Sequence, residues 1–124
     1  MNDYRVINSR LPRVDAYAKV TGDARYAADL TMPNMLYGAI LQSPLAHAKI
    51  RNIDTSKARK LIGVKDVVTA KEAGTIKFGV SPARYDETMF CVDKVRYVGD
   101  EVAAVAAVDY ETAQEAVSLI EVDY

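Results

Sequence analysis

The residues best suited to chemistry in this sequence are its only histidine, His47, and its only cysteine, Cys91. Ser43 and Asp54 flank the histidine, and a hydrolytic site would use His47 as a general base paired with one of them. Side chains four residues apart on an extended segment, such as Ser43 and His47, do not converge unless a turn intervenes, so no catalytic triad is predicted. A structural or interface histidine is favoured over a catalytic one.

Cys91 lies in the stretch Met-Phe-Cys-Val, which is apolar and typical of a strand. A nucleophilic cysteine needs a pKa lowered by a nearby cation or a helix N-terminus, and this stretch supplies neither. Free cysteine is among the most buried residue types, so we predict a packing role. A single cysteine also excludes an internal disulfide and a CxxC metal or redox site.

Carboxylates occur in pairs at Asp86-Glu87 and Asp100-Glu101, and Glu121 and Asp123 lie two apart on one strand. No histidine partner or EF-hand spacing accompanies them, so a solvated surface is favoured over a metal site. None of the six glycines forms a GxGxxG or P-loop pattern. We therefore predict no catalytic, cofactor-binding or metal-binding residue in this segment.

The composition is that of a folded domain. Half of the 124 residues are hydrophobic and 27% are charged, and the formal net charge is -1. This balance gives no electrostatic reason to predict nucleic-acid or membrane partners. There is neither a signal-peptide core nor a membrane-length apolar run, so a cytoplasmic location is expected.

The N-terminal part carries weak local signals. Residues 1–14 are polar and predict an irregular arm, which leaves residues 15–124 as the domain. The segment 15–22 predicts one helical turn, with Asp15 as N-cap and Gly22 as its end. Residues 24–27 are a strand candidate.

The rest of the chain predicts an α+β fold of two strand-helix-strand units. The first unit begins with a buried strand at 36–42 and a strand at 47–53, in which Ala48, Ile50 and Ile53 face inward. A helix then begins at 54–56, packs through Ala58, Leu61 and Ile62 and is capped by a left-handed Gly63. A strand at 64–69 completes the unit. The second comprises one or two strands in 89–98, a strand at 101–108, a helix that is capped by Asp109 and packs through Ala113, Ala116, Val117 and Ile120, and a strand from 121.

Two features of this pattern point beyond the segment itself. The strand at 101–108 is apolar on both faces and must be covered on both sides. The chain also stops where a strand has only just begun, so we expect a truncation of a larger protein.

Between the two units, residues 71–88 form a long irregular connection punctuated by Gly74, Gly79 and Pro82, and such connections are often functional.

Three regions resemble the large subunits of molybdenum hydroxylases, the family of xanthine dehydrogenase and aldehyde oxidase. The regions are the opening Arg13–Asp29, the sequences Pro33–Gly38, Ser43–Ile50 and Ile53–Ala58, and the closing Asp93–Ala107 with Val122–Tyr124. In that family this stretch is the α/β hammerhead domain, which agrees with the two units. Within the family, Lys77–Pro82 and Asp93–Tyr97 most resemble the 4-hydroxybenzoyl-CoA reductase branch. Glu101 departs from the family, in which proline is frequent at that position.

The resemblance implies an enzyme complex that uses molybdopterin, with iron-sulfur clusters and FAD on companion subunits. This branch of the family removes the ring hydroxyl of 4-hydroxybenzoyl-CoA to give benzoyl-CoA. The catalytic glutamate and the cofactor-binding glycine-rich segments of the family lie downstream, so this segment alone is expected to be inactive and to bind no cofactor.

The expected role is that of a scaffold that contacts the remaining molybdenum-binding domains and the iron-sulfur and FAD subunits. Phe78 and Tyr85 in the irregular segment are the candidate contact residues, although a merely mobile loop is an equal alternative. Two other functions stay open: a free-standing ligand-binding or regulatory α+β module, and a hydrolase that uses Ser43 and His47. A reading frame that continues past Tyr124 would favour the scaffold over the module.

Overall fold

The computed structural model describes residue 7 and residues 10–124, which fall into one unit that ends at Pro33 and a second unit that begins at Asn34. The predicted arm at 1–14 falls largely outside the described residues, and its boundary at residue 15 stays a prediction.

The N-terminal unit contains one short helix, α1 (Ala16–Thr21). Gly22 ends it with a left-handed φ of 79°, as predicted. The predicted cap at Asp15 is wrong in its chemistry, because the Asp15 carboxylate makes no capping hydrogen bond and pairs instead with Lys19, at 2.6 Å, and with Arg13. No residue of α1 is buried.

The strand predicted at 24–27 is also wrong. A single 3-10 turn occupies Ala27–Asp29, and residues 24–26 belong to no strand. The Asp29 carboxylate accepts a hydrogen bond of 2.9 Å from the Tyr26 backbone N–H, which favours a turn over an extended segment.

The second unit, residues 34–124, holds the rest of the secondary structure. In chain order it contains β1 (Tyr37–Gln42), β2 (Ala48–Lys49), β3 (Asn52–Asp54), α2 (Ser56–Lys60), β4 (Val64–Thr69), α3 (Ala70–Ala73), a 3-10 turn (Pro82–Arg84), β5 (Lys94–Val95), β6 (Glu101–Ala107), α4 (Tyr110–Ser118) and β7 (Glu121–Asp123).

The predicted α+β fold with two strand-helix-strand units is confirmed. The units are β3-α2-β4 and β6-α4-β7, and they interlock because β4 pairs antiparallel with β6 while β3 pairs antiparallel with β7. β1 pairs with the other edge of β6, so β6 is the central strand of a three-stranded sheet in the order β1-β6-β4. A small sheet of β2 and β5 completes the unit.

The core lies between the three-stranded sheet and the helices α2 and α4. Its fully buried members include Ala58 of α2, Val67 of β4, Ala103 of β6 and Ala116 of α4, with Ile120 after α4. The predicted apolar stripe of α4 is thus confirmed. Burial of a side chain the size of Val67 stabilises the fold by about 1.5–3 kcal/mol, whereas the alanines contribute mainly by letting the helices approach the sheet closely.

The sheet face opposite α4 is less covered than predicted. Directly paired residues share a face, so Ile40 of β1, Ala104 of β6 and Val68 of β4 form one row across this face. Ile40 is 55% exposed, and the other two are half-buried. The strand predicted at 36–42 forms as β1, but the prediction that it is buried is wrong for its outer face, because β1 is an edge strand and Ile40 is exposed.

The helix predicted from 54 is shorter than its apolar pattern indicates. α2 ends at Lys60, so Leu61 and Ile62 lie beyond it, and Ile62 is fully exposed instead of packing as predicted. Gly63 has the predicted left-handed conformation, with a φ of 99°, but it follows the helix cap at Leu61. Only one strand, β5, forms within 89–98.

Candidate functional site

Ser43, His47 and Asp54 do not form a catalytic group. Ser43 is buried, and its Oγ accepts a hydrogen bond from the Leu45 N–H and donates one to the Leu45 carbonyl, both at 3.0 Å. His47 is exposed on the turn before β2. Asp54 Oδ1 accepts from the Ser56 N–H at 2.9 Å at the start of α2. No hydrogen bond joins these three side chains in the part of the chain that the structure describes, and the bonds of Ser43 and Asp54 are local to their own turns.

The predicted packing role of Cys91 is confirmed. Its side chain packs against Val95 and Val102, and the residue is 3% exposed. Burial, and secondarily the neighbouring Asp100 carboxylate, raises the pKa of the Cys91 thiol to about 12. The thiol is therefore protonated at neutral pH and unsuited to nucleophilic attack.

The two carboxylate pairs lie around a single pocket, and the sequence did not predict this. Asp86, Glu87, Asp100 and Glu101 all line a cavity of about 440 Å³. Asp100 is 9% exposed, which corrects the expectation of a fully solvated pair. Glu121, by contrast, is exposed and forms an ion pair with Lys57. Among the described residues, no group of three or more potential ligands is arranged to hold a metal ion.

The pocket has two walls. One is the irregular segment with the residue after it, which contributes Phe78 and residues 86–89, and the other is the turn before β6 with the first residue of β6, which contributes Arg96, Tyr97, Asp100 and Glu101. Cys91 also lines it. A backbone pairing holds the first wall together, because the Phe78 N–H donates to the Glu87 carbonyl at 3.0 Å and the Glu87 N–H donates back at 3.2 Å. This pairing brings the Asp86-Glu87 pair towards Asp100-Glu101.

Side-chain contacts fix the second wall. Asp100 Oδ2 accepts from the Arg96 backbone N–H at 2.8 Å, and the Tyr97 hydroxyl donates to Glu101 Oε2 at 3.4 Å. The negative charge of Glu101, followed by partial burial, raises the pKa of Tyr97. The Arg96 guanidinium is directed to the Lys94 carbonyl, at 3.2 Å, and lies 3.7 Å from the Asp93 carboxylate.

The two predicted contact residues occupy different places. Phe78 is 47% exposed and lines the pocket. Tyr85 is 54% exposed, follows the 3-10 turn and is not one of the residues that line the pocket. Both rings are accessible to a partner, and their role in binding one stays a prediction. No local sequence signal could have identified the pocket, since it depends on a pairing across the irregular segment.

The described helices are all too short and too polar to cross a membrane.

Comparisons with known proteins identify the family. A family model described as "Aldehyde oxidase and xanthine dehydrogenase, a/b hammerhead domain" matches residues 21–124. One probable xanthine dehydrogenase subunit of Bacillus subtilis is 47% identical over 90% of this chain. The nicotinate dehydrogenase large molybdopterin subunit of Eubacterium barkeri is 39% identical over 98% of it.

Solved structures share the fold. The aldehyde oxidoreductase of Desulfovibrio desulfuricans matches with a TM-score of 0.87 and 32% identity over 99% of this chain, and that of Desulfovibrio gigas with a TM-score of 0.81 and 35% identity over 90%. The chain spans only 15% of the length of the Bacillus relative and 28% of the Eubacterium relative. The predicted resemblance is confirmed: this chain belongs to the aldehyde oxidase and xanthine dehydrogenase family and carries its α/β hammerhead domain.

Proposed function

We propose that this chain is the N-terminal scaffold domain of the molybdopterin-containing large subunit of a molybdenum oxidoreductase that works in the cytoplasm. The observation that carries the proposal is the family match over residues 21–124, together with the short share of each relative that the chain spans. In this role the domain performs no chemistry. It supports the remaining molybdenum-binding domains of the same polypeptide and the iron-sulfur and FAD subunits.

The residues that line this pocket do not fit the cofactor itself. Molybdopterin carries a phosphate, and the pocket described above is lined by four carboxylates and one guanidinium. A cavity with this excess of negative charge repels an anionic group. The molybdenum cofactor would therefore be held by other domains, and the isolated segment would be inactive.

For the reaction of the whole enzyme we propose reductive removal of the ring hydroxyl of 4-hydroxybenzoyl-CoA to give benzoyl-CoA. The support is the resemblance of Lys77–Pro82 and Asp93–Tyr97 to that branch of the family. The relatives reported above are named for other compounds, xanthine and nicotinate. The test is to purify the intact gene product with the products of neighbouring genes, then measure molybdenum and turnover.

In that test we expect bound molybdenum and conversion of 4-hydroxybenzoyl-CoA with a reduced electron donor. Bound molybdenum with turnover of xanthine or nicotinate instead would contradict the substrate assignment and keep the scaffold role. A gene product that binds no molybdenum when purified with its partner subunits would contradict the scaffold role as well.

We further propose that Phe78 and Tyr85 contact the rest of the enzyme. Their exposure on a segment with few strands supports the proposal. Amide hydrogen exchange across residues 75–88 should slow in the assembled enzyme relative to the isolated chain. A Tyr85→Ala variant should reduce the yield of assembled enzyme, whereas Tyr110→Ala, an equally exposed tyrosine on α4, should not. Unchanged exchange would show that the segment is a surface loop.

A further inference from the structure

The pocket between the irregular segment and the turn before β6 has an excess of negative charge. Four carboxylates and one guanidinium line it. Asp93 and the Lys94 carbonyl hold that guanidinium, on Arg96, which leaves the carboxylates only partly balanced. The perturbed pKa of Tyr97, raised first by the charge of Glu101, is consistent with this field.

The lining of the same pocket also carries exposed apolar surface. Phe78, Met89 and Tyr97 line the cavity, and each remains about half exposed or more. Apolar and aromatic side chains grouped around a concave site are typical of protein interfaces, in which a pocket receives one anchoring side chain. An aromatic face next to carboxylates favours a cation, because the ring quadrupole and the negative charges attract it together.

We propose that this pocket receives an arginine side chain from another part of the assembled enzyme. The planar guanidinium can bond a carboxylate in bidentate fashion while it stacks on an aromatic ring, and this pocket offers both partners. Such an arginine could come from sequence outside this domain, since the chain spans only 15% of its Bacillus relative. The inference rests on the proposed scaffold role and specifies the chemistry of one contact.

A metal ion or a small anion fits the pocket less well. Among the described residues no set of side chains is arranged as a metal site, and an anion would face four carboxylates. Lysine would satisfy the charge, but it presents a compact ammonium in place of a planar fork.

In the test, methylguanidinium is titrated into the full 124-residue chain, and the chemical shifts of the backbone amides are followed by NMR. We expect saturable shifts at Phe78, Glu87, Tyr97 and Glu101. N-methylurea has nearly the same shape and no charge, so it should produce no comparable shifts. Absence of guanidinium-dependent shifts in a chain with a dispersed amide spectrum, or equal shifts with N-methylurea, would overturn the inference.

Matched variants distinguish binding in the pocket from non-specific attraction to the negative charge of the chain. Asp86→Asn with Glu101→Gln should weaken methylguanidinium binding by about fivefold, the effect expected of partly exposed charge pairs. Glu111→Gln with Glu115→Gln removes the same charge from α4, outside the pocket, and should leave binding unchanged. An equal loss in both double variants would indicate non-specific attraction and overturn the inference.

A second measurement uses the assembled enzyme. Glu101→Arg places a competing cation at the pocket and should lower the yield of assembled enzyme, whereas Glu115→Arg should not. If assembly and molybdenum content are normal in Glu101→Arg, the arginine contact is wrong and the scaffold role stands. If the wild-type gene product holds no molybdenum, the scaffold role fails, whatever the outcome of the methylguanidinium titration.

Discussion

The Asp100 carboxylate accepts a hydrogen bond of 2.8 Å from the backbone N–H of Arg96 and thereby closes the turn that leads into the central strand β6. The backbone of Asp100 serves the same junction, because its carbonyl accepts from the Ser43 N–H at 2.8 Å. Ser43 in turn accepts from the Gly99 N–H through its own carbonyl at 2.8 Å. Asp100 thus links the end of β1 to the start of β6.

Replacement of Asp100 should destabilise the fold. Asp100→Ala removes the acceptor and leaves the Arg96 N–H without its partner, so we expect a loss of about 1–3 kcal/mol in the free energy of unfolding. Urea denaturation followed by circular dichroism measures it. The control Asp123→Ala removes an exposed carboxylate and should change stability by less than about 0.5 kcal/mol. Equal effects of the two changes would show that the Asp100 bond is unimportant.

Gly63 and Gly99 provide a matched pair for backbone strain and crowding. Their φ angles are 99° and 97°, a region of backbone conformation that residues other than glycine avoid. A Cβ at Gly63 would lie 3.0 Å from Val108 Cγ2 and 3.1 Å from Thr112 Cγ2, whereas one at Gly99 would meet no atom within 4 Å. Gly99→Ala should therefore cost about 1 kcal/mol through strain alone, and Gly63→Ala clearly more. Thermal and urea unfolding measure the stability of each variant, and equal losses of stability in the two variants would exclude a crowding effect at Gly63.

Cys91 should resist thiol reagents in the folded protein. With its pKa raised to about 12, the thiol is almost wholly protonated at pH 8, and its burial blocks access. We expect reaction with a disulfide reagent to be at least about a hundredfold slower than in the guanidinium-unfolded chain, whose thiol has a pKa of about 8.5. Since the chain has one cysteine, the absorbance change reports this site alone. Similar rates in the two states would contradict the burial of Cys91.

Acid should weaken the start of α4. Hydrogen bonds from Thr112, including one of 2.7 Å from its backbone N–H, lower the pKa of Asp109 below its usual value. A carboxyl group whose pKa is lower in the folded state stabilises the fold above its unfolded pKa, and this contribution is lost as the pH falls through the folded value. We therefore expect the urea concentration at the unfolding midpoint to decrease as the pH is lowered below about 4.

The variant Asp109→Asn isolates that effect, because asparagine also caps a helix but does not titrate in this range. Its urea midpoint should depend less on pH between 5 and 3 than that of the wild type. Glu115→Gln, an exposed change on the same helix, should keep the wild-type dependence. An unaltered pH dependence in Asp109→Asn would show that other carboxylates govern acid unfolding.

Local patterns predicted β4, β6 and α4 of the second unit, whereas the single strand predicted at 47–53 is wrong, because β2 and β3 are separate strands with different partners. The strand at 64–69 is observed as β4 with the same bounds, and the cap at Asp109 forms as expected. These signals are local: alternation, helical spacing and a capping residue act over a few positions. The family resemblance then supplied the α/β hammerhead fold, but the interlocking of its two units was not predicted.

The failures have physical causes that lie outside such patterns. The 24–27 strand failed because the Asp29 side chain bonds back to the Tyr26 backbone. Ile62 matched a helical stripe, yet α2 ends before it. The pocket escaped prediction because it requires the Phe78–Glu87 pairing and the turn at Asp100 to meet in space. Sequence spacing alone carries no information on that meeting.

The interlocking of the two strand-helix-strand units imposes an order on folding during synthesis. β3 leaves the ribosome early, but its partner β7 is completed only at Asp123. β1 and β4 likewise wait for β6 to emerge between them. Contacts so distant along the chain close slowly, so the nascent polypeptide exposes partnerless strands until almost the whole domain has been translated.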